Sequence, residues 1–405
     1  MENLSGKTVL LGITGGIAAY KMANVASALR KTGAEVHCIL TQNATQFITP
    51  LTFETLTNNR CIVDTFDRNF QYDVAHVSLA KKADVILIAP ATANVIAKLA
   101  HGLADDMLTT TVLASRCPKL IAPAMNTAML ENPATQENLA TLRRYGFTVI
   151  APATGMLACK DVGSGKLPEP EVLCEEIYRV IGREKDLQGL HITVTAGPTQ
   201  ESLDPVRFLT NHSSGKMGYA IAREAMLRGA DVTLISGPVA LKAPLGVKLV
   251  NITTAQEMLE GVQAALPQTD VLVMAAAVAD YRPAVVADQK MKKGEGDMSI
   301  PLERTGDVLG WVAQNRHPGL FVCGFSMETE HMLENSQKKR TKKKLDMIVA
   351  NNLKTQGAGF GVETNVVTLI TQDWVEELPL LGKDEVAGKL LTAIAAQRQT
   401  MAAEE

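Results

Sequence analysis

The sequence has few aromatic residues, little net charge and no clustered cysteine. Aromatic residues make up 4% of the 405 residues and the formal net charge is −3, so no basic field argues for a nucleic-acid partner. The six cysteines include no CxxC pair, which favours a reducing compartment and no structural zinc. The apolar run from Val271 to Ala279 is too short to span a bilayer. We therefore expect a cytoplasmic protein of about two domains.

The chain is rich in aliphatic residues, and hydrophobic residues make up 46% of the sequence. That composition suits buried parallel strands. Residues 7–40 predict a strand, a glycine turn, a helix from Ile17 to Lys31 and a second strand. The turn holds Gly15 and Gly16 but does not match GxGxxG. A mononucleotide phosphate bound by these glycines and the helix start therefore fits better than a dinucleotide. The alternative is a tight turn that needs glycine only for its own shape.

Three further segments share one design, in which a buried strand ends in Ala-Pro and opens into a polar loop. They lie at residues 84–94, 119–126 and 147–152. Thr92 and Asn94 follow the first strand, and Asn126 follows the second. Because the carboxyl ends of parallel strands meet at one edge of a sheet, we expect these side chains to line one crevice.

Two residues with reactive side chains stand outside these strands. His76 lies between apolar residues at the start of a predicted helix. A buried, hydrogen-bonded structural histidine is an equally weighted alternative for it. Cys159 lies in a glycine-rich loop beside Lys160. A lysine neighbour favours the reactive thiolate, and such a loop can move over a ligand.

Residues 5–180 resemble the flavin-dependent cysteine decarboxylases. The resemblance rests on the motifs at Gly15–Lys21 and Ala91–Asn94, the Pro123–Met129 run, the helix with His76 and the loop around Cys159. The Pro-Ala-Met-Asn run together with the Gly-x-Leu-Ala-Cys loop is far more specific than the glycine turn. The resemblance implies a flavodoxin-like, flavin-binding decarboxylase domain.

The resemblance also implies roles for individual residues. The implied FMN-binding residues are Gly15, Gly16, Thr41, Thr92 and Asn94. His76 would be the catalytic base, Asn126 would hold the substrate carboxylate and Cys159 would donate a proton. The chain departs from the family in two places. Leu130 stands where an aromatic residue is usual, and Lys166 replaces an arginine, which exchanges a planar fork for a point charge.

These residue types suit a decarboxylation that needs a flavin. The carboxylate of a cysteine derivative has no electron sink, so it does not readily leave as CO₂. Oxidation of the thiol to a thioaldehyde by the flavin would place the carboxylate β to a C=S group. Reduction of the resulting enethiol, with a proton from Cys159, would then complete the reaction.

A long polar loop opens the second half of the chain. The charged segment 182–189 separates the halves, and we place the boundary near Leu187, which gives domains 1–187 and 188–405. A strand predicted at 192–195 runs into the loop, and a helix from Tyr219 to Arg228 follows it. Such a loop is where open α/β sheets bind ligands. The N–H groups at the helix start could hold an anion.

Several features of this half could serve a nucleotide. Residues 270–281 form an apolar strand that ends at Asp280, which could hold Mg²⁺ or merely cap a turn. Lysines cluster at 290–293 and again at 338–344, where Lys339 and Lys343 share a helix face. A solvated face is the main alternative for these clusters, and a nucleic-acid patch is a minor one. The remaining interpretation is a triphosphate clamp.

Two local patterns complete this half. The run Ser214 to Lys216 is not a Walker A motif, because Thr210 and Met217 stand where that motif needs Gly and Ser or Thr. Asp307 precedes a predicted helix and is its expected N-cap.

Residues 189–400 resemble the phosphopantothenate–cysteine ligases. The resemblance rests on Ala-Gly-Pro-Thr-x-Glu-x-x-Asp-Pro-Val-Arg at 196–207 and Asn-x-Ser-Ser-Gly-x-x-Gly at 211–218. In this order the two halves resemble the bacterial bifunctional family of coenzyme A biosynthesis, which joins a phosphopantothenoylcysteine decarboxylase to the ligase. The implied CTP-binding residues are Ala276, Asp280, Lys290, Asp307, Val308, Phe325, Lys339 and Lys343. Asn211 would bind the acyl intermediate and Lys290 would stabilise attack on the phosphate. Gly306 departs from the usual proline before Asp307.

The ligase chemistry follows from the groups involved. A carboxylate does not react with an amine, so the carboxylate of 4′-phosphopantothenate would attack the α-phosphate of CTP and form an acyl cytidylate. Mg²⁺ and lysines would neutralise the pyrophosphate that leaves. The amine of cysteine would then displace CMP, and the product is the substrate of the first domain.

The sequence thus predicts an α/β enzyme of two Rossmann-like domains that act on small molecules, with no nucleic acid or membrane partner. The resemblance implies a homo-oligomer with a trimer-based decarboxylase core and ligase dimers. One alternative is a non-catalytic flavoprotein that binds a partner, against which the joint presence of His76, Asn126 and Cys159 argues. Another is a nicotinamide oxidoreductase, against which the missing GxGxxG argues. The residues do not decide between CTP and ATP.

Overall fold

The computed structural model describes residues 2–66, 75–156, 162–292, 299–328, 331–352, 359 and 361–404. Two compact units make up the chain, Met1–Glu184 and Lys185–Glu405. Asp186 and Leu187, next to the boundary, are bonded to the second unit. Asp186 pairs with Arg228, and the Leu187 N–H donates to the Arg228 carbonyl oxygen at 3.1 Å.

A parallel five-stranded sheet forms the centre of the first unit. Its strands are β1 (Thr8–Ile13), β2 (Glu35–Leu40), β3 (Val85–Ala91), β4 (Lys119–Pro123) and β5 (Phe147–Val149). They lie in the order β2-β1-β3-β4-β5. This is the flavodoxin-like order, in which the connections reverse direction between β1 and β3. The reversal leaves a crevice at the carboxyl ends of those two strands.

Helices cover both faces of this sheet, as the fully buried strands β1 and β3 require. The helices are α1 (Met22–Lys31), α2 (Pro50–Thr57), α3 (Ala75–Lys82), α4 (Ala93–Ala100), α5 (Met107–Ala114), α6 (Thr127–Glu131), α7 (Pro133–Arg144) and α8 (Pro170–Ile181). Val9 and Leu11 join one core, and Leu10 joins the other. The single helix predicted from Ile17 begins instead as a 3-10 turn, Ile17–Lys21, before α1. Another 3-10 turn spans Ala44–Gln46.

A β-hairpin follows the sheet, where the sequence predicted only a glycine-rich loop. Its strands are β6 (Ala153–Met156) and β7 (Val162–Lys166), and they pair antiparallel. The Met125 N–H donates to the Gly165 carbonyl oxygen at 3.0 Å, and the Thr127 hydroxyl donates to the Ser164 carbonyl oxygen at 2.8 Å. The hairpin therefore lies on the turn that follows β4.

The second unit is built on an eight-stranded sheet. Its strands are β8 (His191–Ala196), β11 (Asp231–Ser236), β12 (Lys248–Asn251), β13 (Val271–Met274), β16 (Phe321–Glu328), β17 (Met347–Asn352), β19 (Val367–Ile370) and β20 (Val375–Glu377). The order is β12-β11-β8-β13-β16-β17-β19-β20, and only β19 and β20 run antiparallel to their neighbours. The six parallel strands follow the Rossmann order, so the connections reverse between β8 and β13.

Five helices and three short strand pairs complete this unit. The pairs are β9 (Gln200–Ser202) with β10 (Phe208–Thr210), β14 (Tyr281–Pro283) with β15 (Leu302–Arg304), and β18 (Thr364–Asn365) with β21 (Leu381–Gly382). The helices are α9 (Lys216–Leu227), α10 (Ala255–Ala265), α11 (Val308–Asn315), α12 (Met332–Lys342) and α13 (Lys383–Glu404), and a 3-10 turn spans Leu266–Gln268. Within the described ranges, no helix is both long and apolar enough to cross a membrane.

Two predicted element boundaries in this unit were wrong. Helix α9 begins at Lys216 rather than Tyr219, because Gly215 adopts a left-handed φ of 76° and starts the helix there. The strand predicted over 270–281 stops at Met274, and its last residues turn out of the sheet to bond with the loop after β8. The predicted N-cap Asp307 is confirmed, since its side chain accepts a bond from the first turn of its helix.

We expect Gly165→Ala to loosen the hairpin from the turn after β4. Gly165 has a φ of 130°, and a Cβ there would lie 2.2 Å from the Met125 carbonyl oxygen. Strain of about 1–3 kcal/mol should lower the Tm of the first unit by about 3–10 °C in scanning calorimetry. Gly155→Ala in the same hairpin is the matched control, because its Cβ would lie 3.8 Å from the nearest side-chain atom. Equal melting of both variants and the native chain would contradict this packing.

Candidate active sites

In the first unit, a threonine hydroxyl joins the two loops that border the crevice. Thr14, fully buried after β1, donates its hydroxyl to the Pro90 carbonyl oxygen at 2.6 Å. The Thr14 hydroxyl oxygen in turn accepts a bond from the Thr92 N–H at 3.1 Å. The glycine turn after β1 and the polar loop after β3 are therefore held side by side.

The five predicted flavin-binding residues lie along this edge, and their surroundings differ. A Cβ on Gly16 would meet nothing closer than 3.9 Å, so the backbone there is open to a ligand. A Cβ on Gly15 would lie 2.4 Å from the Cβ of Asn43, so packing alone requires that glycine. Thr41 follows β2 and donates its N–H to the Ile13 carbonyl oxygen. Thr92 caps α4, and Asn94 is exposed in the first turn of that helix.

Of the three predicted catalytic residues of this unit, the structure places His76 and Asn126. His76 is the second residue of α3, and its side chain is half-buried. Because a crossover helix runs antiparallel to the strands, the start of α3 lies at the carboxyl edge of the sheet. Asn126 caps α6 after β4 by accepting the Ala128 N–H at 2.9 Å. Cys159, between β6 and β7, lies outside the described residues.

Four other cysteines are poor nucleophiles. Burial raises the pKa of the Cys38 and Cys323 thiols well above the ordinary value. It raises the pKa of Cys61 to about 12 and that of Cys174 to about 11. These thiols stay protonated at neutral pH.

The structure shows the contacts of Leu130 and Lys166, the two residues of the first unit that differ from the family pattern. Leu130 is 7% exposed and packs in the core with Leu139 and Leu142. Lys166 forms an ion pair with Glu169 at 3.1 Å, and Lys21 pairs with the same carboxylate at 2.9 Å. The bond from Lys21, with that from Lys166, lowers the pKa of Glu169. Lys166 thus helps to tie the end of the hairpin to the 3-10 turn.

In the second unit, the loops after β8 and β13 are bonded across the point where the strand order reverses. The Ala276 N–H donates to the buried Thr195 hydroxyl at 3.1 Å, and the Ala277 N–H donates to the Gly197 carbonyl oxygen at 2.9 Å. The Asn211 side-chain amide donates to the Ala277 carbonyl oxygen at 3.0 Å. The motif of the loop after β8 therefore shapes the end of β13.

Two cavities open at this edge of the second sheet. The first cavity measures 490 Å³, and seven predicted nucleotide-binding residues line it: Ala276, Asp280, Asp307, Val308, Phe325, Lys339 and Lys343. The second cavity measures 510 Å³ and is lined by Asn211 and the loop 213–218. Ala276, Asp280, Phe325 and Lys339 line both cavities, so the two are neighbours.

Two lysines of the first cavity, Lys339 and Lys343, already have partners within the protein. Lys343 bonds to the Asp307 carboxylate, and Lys339 donates to the Phe325 carbonyl oxygen at 3.0 Å. Burial by itself would raise the pKa of Asp307, but Lys343 and the Gly310 N–H hold it below the ordinary value. The Cβ of a larger residue at Gly306 would lie 3.1 Å from Leu259, so the departure at 306 sits in a close-packed turn.

Lys290 is the one predicted nucleotide-binding residue that lines neither cavity. It is exposed, and the backbone of the next residue, Met291, is bonded at both polar atoms. The Met291 N–H donates to Asp204 at 3.1 Å, and Arg207 donates to the Met291 carbonyl oxygen at 3.0 Å. Arg207 also donates to Asp204 at 2.6 Å. We call this arrangement the Asp204–Arg207 clamp.

The second cavity contains three residues that the sequence analysis missed. Asn351, at the end of β17, is 6% exposed, and its side-chain oxygen has no hydrogen-bond partner in the described part of the chain. A polar residue that ends an apolar strand was the available signal. Lys216 and Lys383 also line this cavity. Lys216 occupies a variable position of the loop motif, and no pattern distinguishes Lys383 from a surface lysine.

A protein-only metal centre is not formed around Asp280. Among the described residues, no three His, Cys, Asp or Glu side chains converge on one point. Mg²⁺ in nucleotide sites commonly takes one or two carboxylates and completes its shell with phosphates and water. The single carboxylate of Asp280 between the two cavities fits that mode.

Comparison with known proteins covers both units. The flavoprotein family model matches residues 1–182, and the model of the DNA/pantothenate metabolism flavoprotein C-terminal domain matches residues 187–397. The coenzyme A biosynthesis bifunctional protein CoaBC of Vibrio vulnificus is 44% identical over 399 residues, which cover 97% of this chain and 98% of that protein.

This chain belongs to the family of coenzyme A biosynthesis bifunctional proteins. The Bacillus subtilis member is also 44% identical, over 97% of this chain and 98% of its own. The crystal structure of the C-terminal domain of a CoaBC protein is 43% identical and covers 54% of this chain and all of that one, with a TM-score of 0.47. Membership confirms the predicted α/β fold and the predicted bifunctional enzyme, a flavoprotein decarboxylase domain followed by a ligase domain.

We expect Asp204→Asn to open the Asp204–Arg207 clamp. Bonds from Arg207 lower the pKa of Asp204 well below its usual value, so its carboxylate is ionised at neutral pH. Asparagine has only one acceptor oxygen, whereas one Asp204 oxygen accepts the Val206 and Arg207 N–H groups and the other accepts the Arg207 guanidinium and the Met291 N–H. One of these two sets of bonds must be lost, so trypsin should cut faster after Lys290. Because the folded-state pKa is the lower one, the stability deficit of the variant should be complete above about pH 4 and shrink below it.

Glu201→Gln is the control for the clamp. Glu201 is buried in the same motif, but its carboxylate accepts the Ala255 N–H at the start of α10. This variant should lose stability without faster cleavage at Lys290. Equal cleavage of both variants would mean that the clamp does not hold this loop.

Proposed function

We propose that the second unit ligates cysteine to 4′-phosphopantothenate with CTP and that the first unit decarboxylates the product with FMN. One observation carries the ligase half of this proposal. Seven residues expected at the nucleotide line one cavity, and Asn211, expected at the acyl intermediate, lines its neighbour. A nucleotide in the first cavity would therefore present its phosphates toward the second cavity, where the carboxylate would attack.

In this scheme the ligase residues bind the substrates and neutralise the charge of the phosphates. The substrate carboxylate attacks the α-phosphate of CTP, and pyrophosphate leaves. Lys339 and Lys343 would exchange their present protein partners for phosphate oxygens, with Asp280 as the protein ligand of Mg²⁺. The amide of Asn211 would donate to the acyl oxygen of the cytidylate. Lys290 would stabilise charge on the phosphate from the loop that the Asp204–Arg207 clamp holds.

The residues at the crevice of the first unit fit a flavin. The donors there are backbone N–H groups, threonine hydroxyls and the Asn94 amide, which suit a phosphate and a polar ring edge. The open position at Gly16 leaves room for close approach. FMN, when bound, supplies the two-electron oxidation and reduction that the decarboxylation requires.

The protein's own residues then handle protons and the carboxylate. His76, at the start of α3, would remove a proton from the substrate thiol. Asn126 would donate to the carboxylate and hold it above the crevice, where it can leave as CO₂. Cys159 would return a proton to carbon. A cytoplasmic location and an assembly of decarboxylase trimers with ligase dimers stay predictions.

We expect Asn211→Asp to stop ligation and spare decarboxylation. The change removes the donor to the Ala277 carbonyl oxygen and sets a carboxylate against an anionic substrate. Release of pyrophosphate with CTP, 4′-phosphopantothenate and cysteine should fall about a hundredfold or more. Decarboxylation of supplied 4′-phosphopantothenoylcysteine should not change.

The neighbouring exposed residue gives the control, His212→Gln, which should ligate normally. Replacement of CTP by ATP in the same assay tests the nucleotide. Native protein that releases no pyrophosphate with either nucleotide would overturn the ligase proposal.

We expect Cys159→Ser to retain FMN and lose product. A serine hydroxyl is a much weaker acid than a thiol, so the last proton transfer should fail while flavin binding is unaffected. The flavin spectrum of the purified variant and mass spectrometry of its reaction mixture give the two measurements. Normal formation of 4′-phosphopantetheine by the variant would remove Cys159 from the mechanism.

A further inference from the structure

Two lysines begin two different helices at the edge of the second cavity. Lys216 is the first residue of α9, and Lys383 is the first residue of α13. Both line this cavity with Asn211. The positive end of a helix dipole lies at the N-terminus, so a lysine at that position is unfavourable. Here two such lysines meet, and the positive charge of Lys216 contributes to lowering the pKa of Lys383.

Lys383 is buried and donates to backbone carbonyl oxygens. Its side chain is buried, and the residue is only 6% exposed. The ammonium donates to the carbonyl oxygens of Gly359 at 3.0 Å and Val362 at 2.6 Å. Carbonyl dipoles orient an ammonium without cancelling its charge. Burial therefore lowers the pKa of Lys383, and the charge of Lys216 lowers it further.

The nearest acidic partner is easily displaced. Lys216 donates to Glu363 at 2.5 Å and to the Gly361 carbonyl oxygen at 2.9 Å. The Glu363 side chain is 82% exposed, and exposed ion pairs of this kind contribute little stability. An anion in the cavity could replace Glu363 at Lys216 while water solvates the released carboxylate.

Around the second cavity the charges do not balance. Among the described residues that line it, the charged ones are Lys216, Lys339 and Lys383 against one carboxylate, Asp280. The cavity therefore has excess positive charge, and two helices begin at its edge, one of them at the buried Lys383. Such a site matches a ligand with several negative charges.

We propose that Lys216 and Lys383 together bind a phosphate group of a ligase substrate in the second cavity. The inference rests on the proposed ligase function and adds two binding residues to it. Both substrates carry suitable phosphates, the β- and γ-phosphates of CTP and the 4′-phosphate of phosphopantothenate. Lys339 lines both cavities and would therefore lie next to this phosphate in either case.

The experiment compares Lys216→Met and Lys383→Met with the native full-length protein. Loss of one charge-assisted hydrogen bond should raise the KM of the substrate concerned about tenfold to a hundredfold. Lys389→Met, an exposed lysine on α13, is the matched control and should leave the KM unchanged. Lys383→Arg keeps the charge and should recover part of the affinity.

Two arms identify which phosphate is bound. If the lysines hold the triphosphate, the KM for CTP rises and kcat falls, because charge grows on the leaving pyrophosphate. Inorganic pyrophosphate should then raise the Tm of the native protein and not that of Lys216→Met. If they hold the 4′-phosphate, only the KM for phosphopantothenate rises. With pantothenate, which lacks that phosphate, native and variant proteins should then react alike.

A purely structural role predicts a different pattern. If the two lysines only hold Gly359 and residues 361–363, Tm falls while both KM values and the response to pyrophosphate stay native, and the proposal is wrong. Lys216→Met decides the matter if Lys383→Met does not fold, because Lys216 is partly exposed. Native protein without ligase activity would instead refute the proposed function, so the two failures are distinct.

Discussion

A buried threonine hydroxyl at the end of the central strand underlies the candidate site in each unit. In the first unit, Thr14 bonds the loop after β1 to the loop after β3 through Pro90 and Thr92. In the second, the Ala276 N–H bonds to Thr195 and joins the loops after β8 and β13. Both threonines are fully buried where the strand order reverses. Each bond fixes the two loops between which a ligand would enter.

In the second unit, two cavity lysines form ion pairs whose carboxylate a ligand anion could replace. Lys343 forms an ion pair with Asp307, and Lys216 forms one with Glu363; both carboxylates lie at the margin of the cavities. Such exposed pairs contribute little to stability, so a phosphate can take over either lysine without unfolding its surroundings. Lys383 differs, because it is buried and donates to backbone carbonyl oxygens. The cavities are thus preorganised for anions.

Local motifs predicted much of the architecture. Apolar strands that end in polar loops identified both sheets, and the predicted N-cap Asp307 is confirmed. Predictions failed where a contact across the fold set the outcome. Helix α9 starts earlier than predicted because of the conformation of Gly215, and the strand after Asp270 stops early because Ala277 bonds to Gly197. The hairpin over the Asn126 turn depends on Gly165, whose φ a sequence does not display.

The sequence by itself determined the fold class, the order of the two domains and the residue types at each strand end, because burial periodicity, capping and motif spacing are local properties. Only the tertiary structure decided which of those residues share a cavity. Lysine looks the same in a sequence whether it is solvated, as Lys389 is, or buried against another positive charge, as Lys383 is. That difference arises from the packing of α13 against α9, two helices far apart in the chain, and from the sheet order that brings their first residues together.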